Sequence, residues 1–239
     1  MRARQVPGTA RRGGSAVRIQ PGRVTGDPGL GGTGLVADDL YLMAHDENTG
    51  RPLLRRRALG TGLAGGLLAE LMLAGCITVR HDGAVALGRT WPAGELARQV
   101  RDVIAAEHEP HLVREWLLYL ARTAARDVAL RLEQAGYLTR VRSLVPGRPG
   151  RMVPVNPDWA FAPMLRVRSA LDSAREFTPH AGVLAGLAVA CGLGFRLAQY
   201  VPPAGRRLDD VAARLDPGLR ELIAQTQAAV DSAVLSHRT

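Results

Sequence analysis

Two stretches, LAELMLAGCITV (residues 68–79) and LRLEQAGYLTRV (residues 130–141), follow one plan. Each runs from a helix-forming segment of Leu, Ala and Glu, through Ala-Gly, into a short β-like piece carrying Thr. Glycine is the residue that most readily takes the left-handed conformation that ends a helix, so Gly75 and Gly136 each read as a helix stop. After the first stop, ITVRHDGAVAL holds Asp-Gly between two short β-like runs, a strong hairpin signal. After the second, YLTRVRSLVPGRPGRMVPV (137–155) reads as a longer hairpin with a Pro/Gly/Arg tip. A chain that twice closes a helix with glycine and covers the end with a hairpin is a helical domain with β trim.

Working outward, LVADDLYLMAHD puts Val36, Leu40, Met43 and Ala44 on one helical face, and DENTG makes a turn. A second helix runs from about 58 to 74. Further helices are expected over 94–107, 112–135, 159–176, 180–198, 207–214 and 217–236. The fold class expected is mainly α: a compact helical bundle wrapped by amphipathic helices, with two small β-hairpins. Residues 34–239 read as one domain. Residues 1–33, rich in Gly, Pro and Arg with no hydrophobic period, read as a disordered basic tail.

Apolar residues make up 46% of the 239, enough for a substantial core, but aromatics are only 4%, so Leu, Val and Ala must fill it. All 31 basic residues are Arg, which suggests a GC-rich genome and a bacterial source. Arg also grips phosphate through a planar two-pronged fork. Of the net charge of +9, residues 1–33 supply +5, with six Arg against Asp27. The remaining +4 permits an anionic membrane or nucleic acid as partner without requiring either. Cys76 and Cys191, both in apolar surroundings, read as buried free thiols of a cytoplasmic protein. The longest uncharged apolar run, AGVLAGLAVACGLGF (181–195), is too short for a membrane span and suits a buried helix.

Several motifs imitate chemistry. GTGLAG (60–65) has the spacing of a dinucleotide loop but follows RRRAL, which is no strand, so its glycines are expected to ease close helix packing. EHEPH (107–111) sets His108 and His111 three apart, but Pro110 intervenes and no further ligands accompany them, so a polar turn is preferred to a metal site. HDE (45–47) is expected in a solvated turn. Glu70, inside LLAELML, needs a buried partner, and an Arg is the natural one. No nucleophile, base or cofactor constellation emerges, so no enzyme, metal or cofactor is expected.

The segments LVADDLYLMAHDENTGRPL, LGTGLAGGLLAELMLAGCITV and RTAARDVALRLEQAGYLTRV resemble the Golgi phosphoprotein 3 family in its bacterial branch, over roughly residues 34–236. The resemblance implies a helical fold with a projecting hairpin used in self-association. It also implies a non-enzymatic adaptor, peripheral on membranes, that binds phosphatidylinositol 4-phosphate. The family's headgroup pocket uses one Trp and three Arg. Those positions fall on Arg55, Ala64, Arg122 and Ala125, of which only Arg122 keeps the family's residue. Arg126 stands four residues after Arg122, on the same helical face. The lipid-headgroup site expected is therefore Arg55, Arg56, Arg57, Arg122 and Arg126, facing an anionic phospholipid surface on the inner side of the membrane. Hairpin 137–155, with Leu144, Val145 and Pro146 near its tip, is expected to drive homo-oligomer formation. A further protein partner is expected but not named. A winged helix reading DNA is the alternative, disfavoured because the helices before each hairpin lack an Arg/Asn/Gln-rich face.

Overall fold

A computed structural model describes residues 33–142, 150–172, 177–200 and 204–235. In chain order the elements are α1 (Val36–Met43), α2 (Arg56–Leu73), β1 (Ile77–Val79), β2 (Val85–Leu87), α3 (Glu95–Ala106), α4 (Val113–Leu120) and α5 (Ala124–Gln134). They continue with β3 (Leu138–Val141), β4 (Arg151–Pro154), α6 (Pro157–Asp172), α7 (Pro179–Ala190), α8 (Gly194–Tyr200), α9 (Ala204–Ala213) and α10 (Pro217–Leu235). β1 pairs antiparallel with β2 and β3 with β4, so the β content is two separate two-stranded sheets.

The repeated glycine stop is real and has one geometry. At Gly75 (φ +67°), Cys76 N donates to Leu71 O and Gly75 N to Met72 O. At Gly136 (φ +81°), Tyr137 N donates to Leu132 O and Gly136 N to Glu133 O. Both pairs satisfy carbonyls that the helix end would otherwise orphan. A third copy stands at Gly192 (φ +97°), where Leu193 N donates to Ala188 O. It ends α7 at Ala190 and divides the helix expected over 180–198 into α7 and α8, leaving Phe195 of the apolar run 74% exposed. The helix expected over 112–135 is also two, because the backbone turns at 121–123 through i to i+3 bonds and restarts at Thr123.

α2 is the axis of the domain. It is buried without interruption from Leu59 to Leu71 and packs on α1, α4, α5, α7 and α10. The GTGLAG glycines and the adjacent Gly66 lie inside this helix and let neighbours approach. A Cβ on Gly60 would sit 2.6 Å from Ala121 O, one on Gly66 2.8 Å from Ala37 Cα, and one on Gly62 2.2 Å from Cys191 Sγ. Leu63, Leu68, Leu71, Leu117, Leu184 and Leu222 fill the centre, and both cysteines are buried and free.

Charge is also buried here. Glu70 accepts from Ala37 N at 2.8 Å and takes both prongs of Arg131 at 2.9 Å, the arginine partner its position demands. Arg131 Nε donates to Asp38 Oδ1 at 2.7 Å. Asp39 is held by Arg166 and lies 2.9 Å from His180 Nε2. Five helices are thereby tied through three carboxylates. His45 differs from expectation. It is buried at 8% exposure, because Asp46 N to Arg51 O and Leu53 N to Ala44 O zip the following loop back over it. Leu144, Val145 and Pro146 lie outside the described residues, as does all but one residue of the tail read over 1–33.

Candidate functional site

α2 begins with Arg55 as its N-cap and Arg56 and Arg57 in its first turn, all exposed, with no acidic residue in that turn. The N-terminal end of a helix already carries partial positive charge, so three guanidiniums there oppose the helix dipole. An anion at this end relieves that repulsion.

Arg56 and Arg57 open onto a groove of about 1020 Å³ walled by α2, α4 and α10. Arg122, from the turn after α4, lines the same groove. So the two distant segments expected to cooperate do meet, at Arg57 and Arg122. Arg114, on the first turn of α4, lines it too and is exposed. This residue escaped the sequence reading, although Arg114, Leu118 and Arg122 stand at i, i+4 and i+8, the spacing of a stripe on one face. The floor is Leu118, Ala121, Ala228 and Ala229, with Thr61 and Gln225 as polar groups. Leu118 is 61% exposed. Among the described residues, Arg55, Arg56, Arg114 and Arg122 form no ion pair.

The other expected site residues sit elsewhere. Arg126 pairs with Asp127 at 2.9 Å and lines a smaller cavity of about 390 Å³ with Arg56, Tyr41 and His45. It does not share a face with Arg122, because Arg122 belongs to the turn and not to α5. Arg55 borders a third cavity of about 620 Å³ with Leu53, Val189, Val230 and Asp231. Ala64 is wholly buried and contributes no charge to any of these cavities. Arg56 is the one member shared by all three cavities.

Among the described residues no three metal-ligating side chains gather, and no helix is long and apolar enough to cross a membrane. His111 of EHEPH lies 3.5 Å from Glu107 and 3.3 Å from Glu115 in a part-exposed turn. A comparison with protein families matches residues 36–235 to the family described as Golgi phosphoprotein 3 (GPP34). A search among curated proteins finds no match.

Proposed function

The chain belongs to the Golgi phosphoprotein 3 family, and from that footing we propose that it is a non-enzymatic peripheral membrane adaptor. Its groove between α2, α4 and α10 takes the headgroups of anionic phospholipids. Arg56, Arg57, Arg114 and Arg122 are the phosphate-binding groups, with Arg55 and Arg126 at the flanks. The observation that carries this reading is that guanidiniums from two distant segments converge on one groove, and that among the described residues Arg56, Arg114 and Arg122 form no ion pair. Each basic residue near an anionic surface contributes about 1 kcal/mol, so several must act together for stable attachment. Exposed Leu118 gives the groove an apolar body for the headgroup boundary.

Phosphatidylinositol 4-phosphate is the headgroup the family suggests, but with Arg55 in place of the Trp the site leans on charge more than on ring stacking. The inner face of the membrane is the expected station. The β3–β4 hairpin, with Val141 44% and Val155 53% exposed, serves self-association in this reading. A winged-helix role is disfavoured, since a helix buried from Leu59 to Leu71 offers no face to a DNA groove.

The test is co-sedimentation with phosphatidylcholine vesicles containing an anionic lipid. Arg114→Ala/Arg122→Ala is expected to lower binding about thirtyfold, the effect of losing two such charges at about 1 kcal/mol each. Undiminished binding by that variant removes the groove as the site.

A further inference from the structure

The corner between α7 and α8 forms one wall of the cavity of about 620 Å³ at the start of α2. Leu193 and Leu197 are buried, and Leu197 N donates to Leu193 O, so the residue midway between them on this turn must point outward. That residue is Phe195, 74% exposed. Both sides of the corner are held: Leu193 N donates to Ala188 O, and Arg196 bonds Glu47 of the loop after α1 at 3.2 Å. At the other end of α8, Tyr200 packs its ring on Phe161 with centroids 5.2 Å apart. Among the described residues Phe195 has no such ring partner.

Two more exposed apolar side chains adjoin it. A Cβ on Gly194 would sit 3.9 Å from Val189 Cγ1, and Val189 is 36% exposed. A Cβ on Gly192 would sit 4.0 Å from Leu54 Cδ2, beside Leu53 at 43% exposure. A single exposed apolar side chain is ordinary, but three around one rigid corner make a patch that calls for cover. The charge beside it says what the cover is. Leu53 and Leu54 run straight into Arg55, Arg56 and Arg57, and all five line the same cavity as Val189. Asp231 is the one carboxylate among the lining residues.

An apolar tip flanked by guanidiniums matches a bilayer, whose phosphates lie directly above its hydrocarbon; arginine can keep its head at the phosphates while its stem lies along apolar surface. A protein partner covering the same tip would have to desolvate three guanidiniums as well. We propose that Phe195, with Leu53 and Val189, inserts into the acyl layer of an anionic membrane. The proposal rests on the reading of the groove as membrane-facing and adds a second, apolar contact to it. Charge alone gives attachment that salt removes, whereas buried apolar surface is not screened, and stable anchoring takes both.

The test is co-sedimentation of the full chain with vesicles of phosphatidylcholine and phosphatidylserine at about 0.1 and 0.3 M salt. Phe195→Ala, a change at an exposed side chain, is expected to weaken binding about tenfold, and by the same factor at both salt concentrations. Phe195→Trp should bind as the parent does. Its added indole should shift to shorter wavelength on vesicles and be quenched by brominated acyl chains, beyond the response of the parent's own three Trp. Arg114→Ala/Arg122→Ala should instead weaken binding most at the lower salt and leave that quenching unchanged in the bound fraction. Parent binding that Phe195→Ala does not reduce, or an added indole that brominated chains do not quench, overturns insertion and leaves the groove standing. A smaller sedimenting mass for Phe195→Ala without vesicles also overturns it, because a second copy of the chain then covers the patch. No vesicle binding by the parent overturns insertion and groove together.

Discussion

Arg131 shows how a single side chain holds this fold together. Its two terminal nitrogens grip Glu70 and its Nε reaches Asp38, so one guanidinium joins α5 to α2 and α1. Burial works against its charge, but Glu70 and Asp38 outweigh that and hold it above its usual range. Replacing it by methionine keeps most of the volume and leaves buried Glu70 and Asp38 without their partner, so Arg131→Met is expected to cost about 3–5 kcal/mol in urea unfolding. A loss under 1 kcal/mol would show that the pairing is idle. Asp38 behaves differently: its pKa is pushed up to about 7 from 3.8, chiefly by burial, with Arg131 opposing. The folded state therefore keeps a proton that an unfolded aspartate has lost, and this group's contribution to stability falls as pH rises from about 4 to 7. Asp38→Asn should flatten that part of the stability profile. An unchanged slope over the interval would mean that Asp38 titrates normally.

At the scale of elements, α2 is what it is because glycine allows helices to touch. A Cβ at Gly66 would meet the Ala37 backbone at 2.8 Å, forcing α1 and α2 apart. Alanine is the better helix former by roughly 1 kcal/mol, so Gly66→Ala separates propensity from packing. We expect a net loss of about 1–3 kcal/mol, the usual range for overpacking against something that cannot yield. Gly136→Ala meets nothing within 4 Å and should cost only the left-handed strain, about 1 kcal/mol. A urea midpoint that rises for Gly66→Ala would refute the close approach. These features were legible in the sequence, because a glycine stop and an apolar run around Glu70 are local signals. The turn at 121–123 was not, since residues 113–134 contain no Gly or Pro and the break answers to the Gly60–Ala121 contact across the core. His45 was misjudged for the same kind of reason: its burial comes from a loop that folds back, not from its neighbours' polarity. The candidate site was half legible. Arg57 and Arg122 do share a groove, but the unbroken helix assumed between Arg122 and Arg126 put Arg126 on the wrong side of Arg56.

For the whole molecule, the question is whether surface charge or headgroup identity decides where it docks. The net charge of +9 is divided almost evenly between residues 1–33 and the remaining 206, so residues 34–239 are a weak cation with a local concentration of arginine at one end of α2. Such a surface is attracted over a Debye length of about 8–10 Å at moderate salt and should detach as salt rises. Headgroup identity requires more: a ring to stack on the inositol and donors fixed around its phosphate. In the proposed correspondence with the family's pocket, the stacking position falls on Arg55 and another on Ala64, which is buried. Vesicles carrying phosphatidylinositol 4-phosphate and vesicles carrying phosphatidylserine at matched surface charge are therefore expected to bind within about threefold of each other. Both should lose most binding between about 0.1 and 0.5 M salt, where the Debye length roughly halves. A preference above tenfold for the phosphoinositide that survives the higher salt would mean that a specific pocket persists without the family's aromatic. The proposal of a site governed by charge would then fail, while Arg114 and Arg122 would remain the residues to examine for that selectivity.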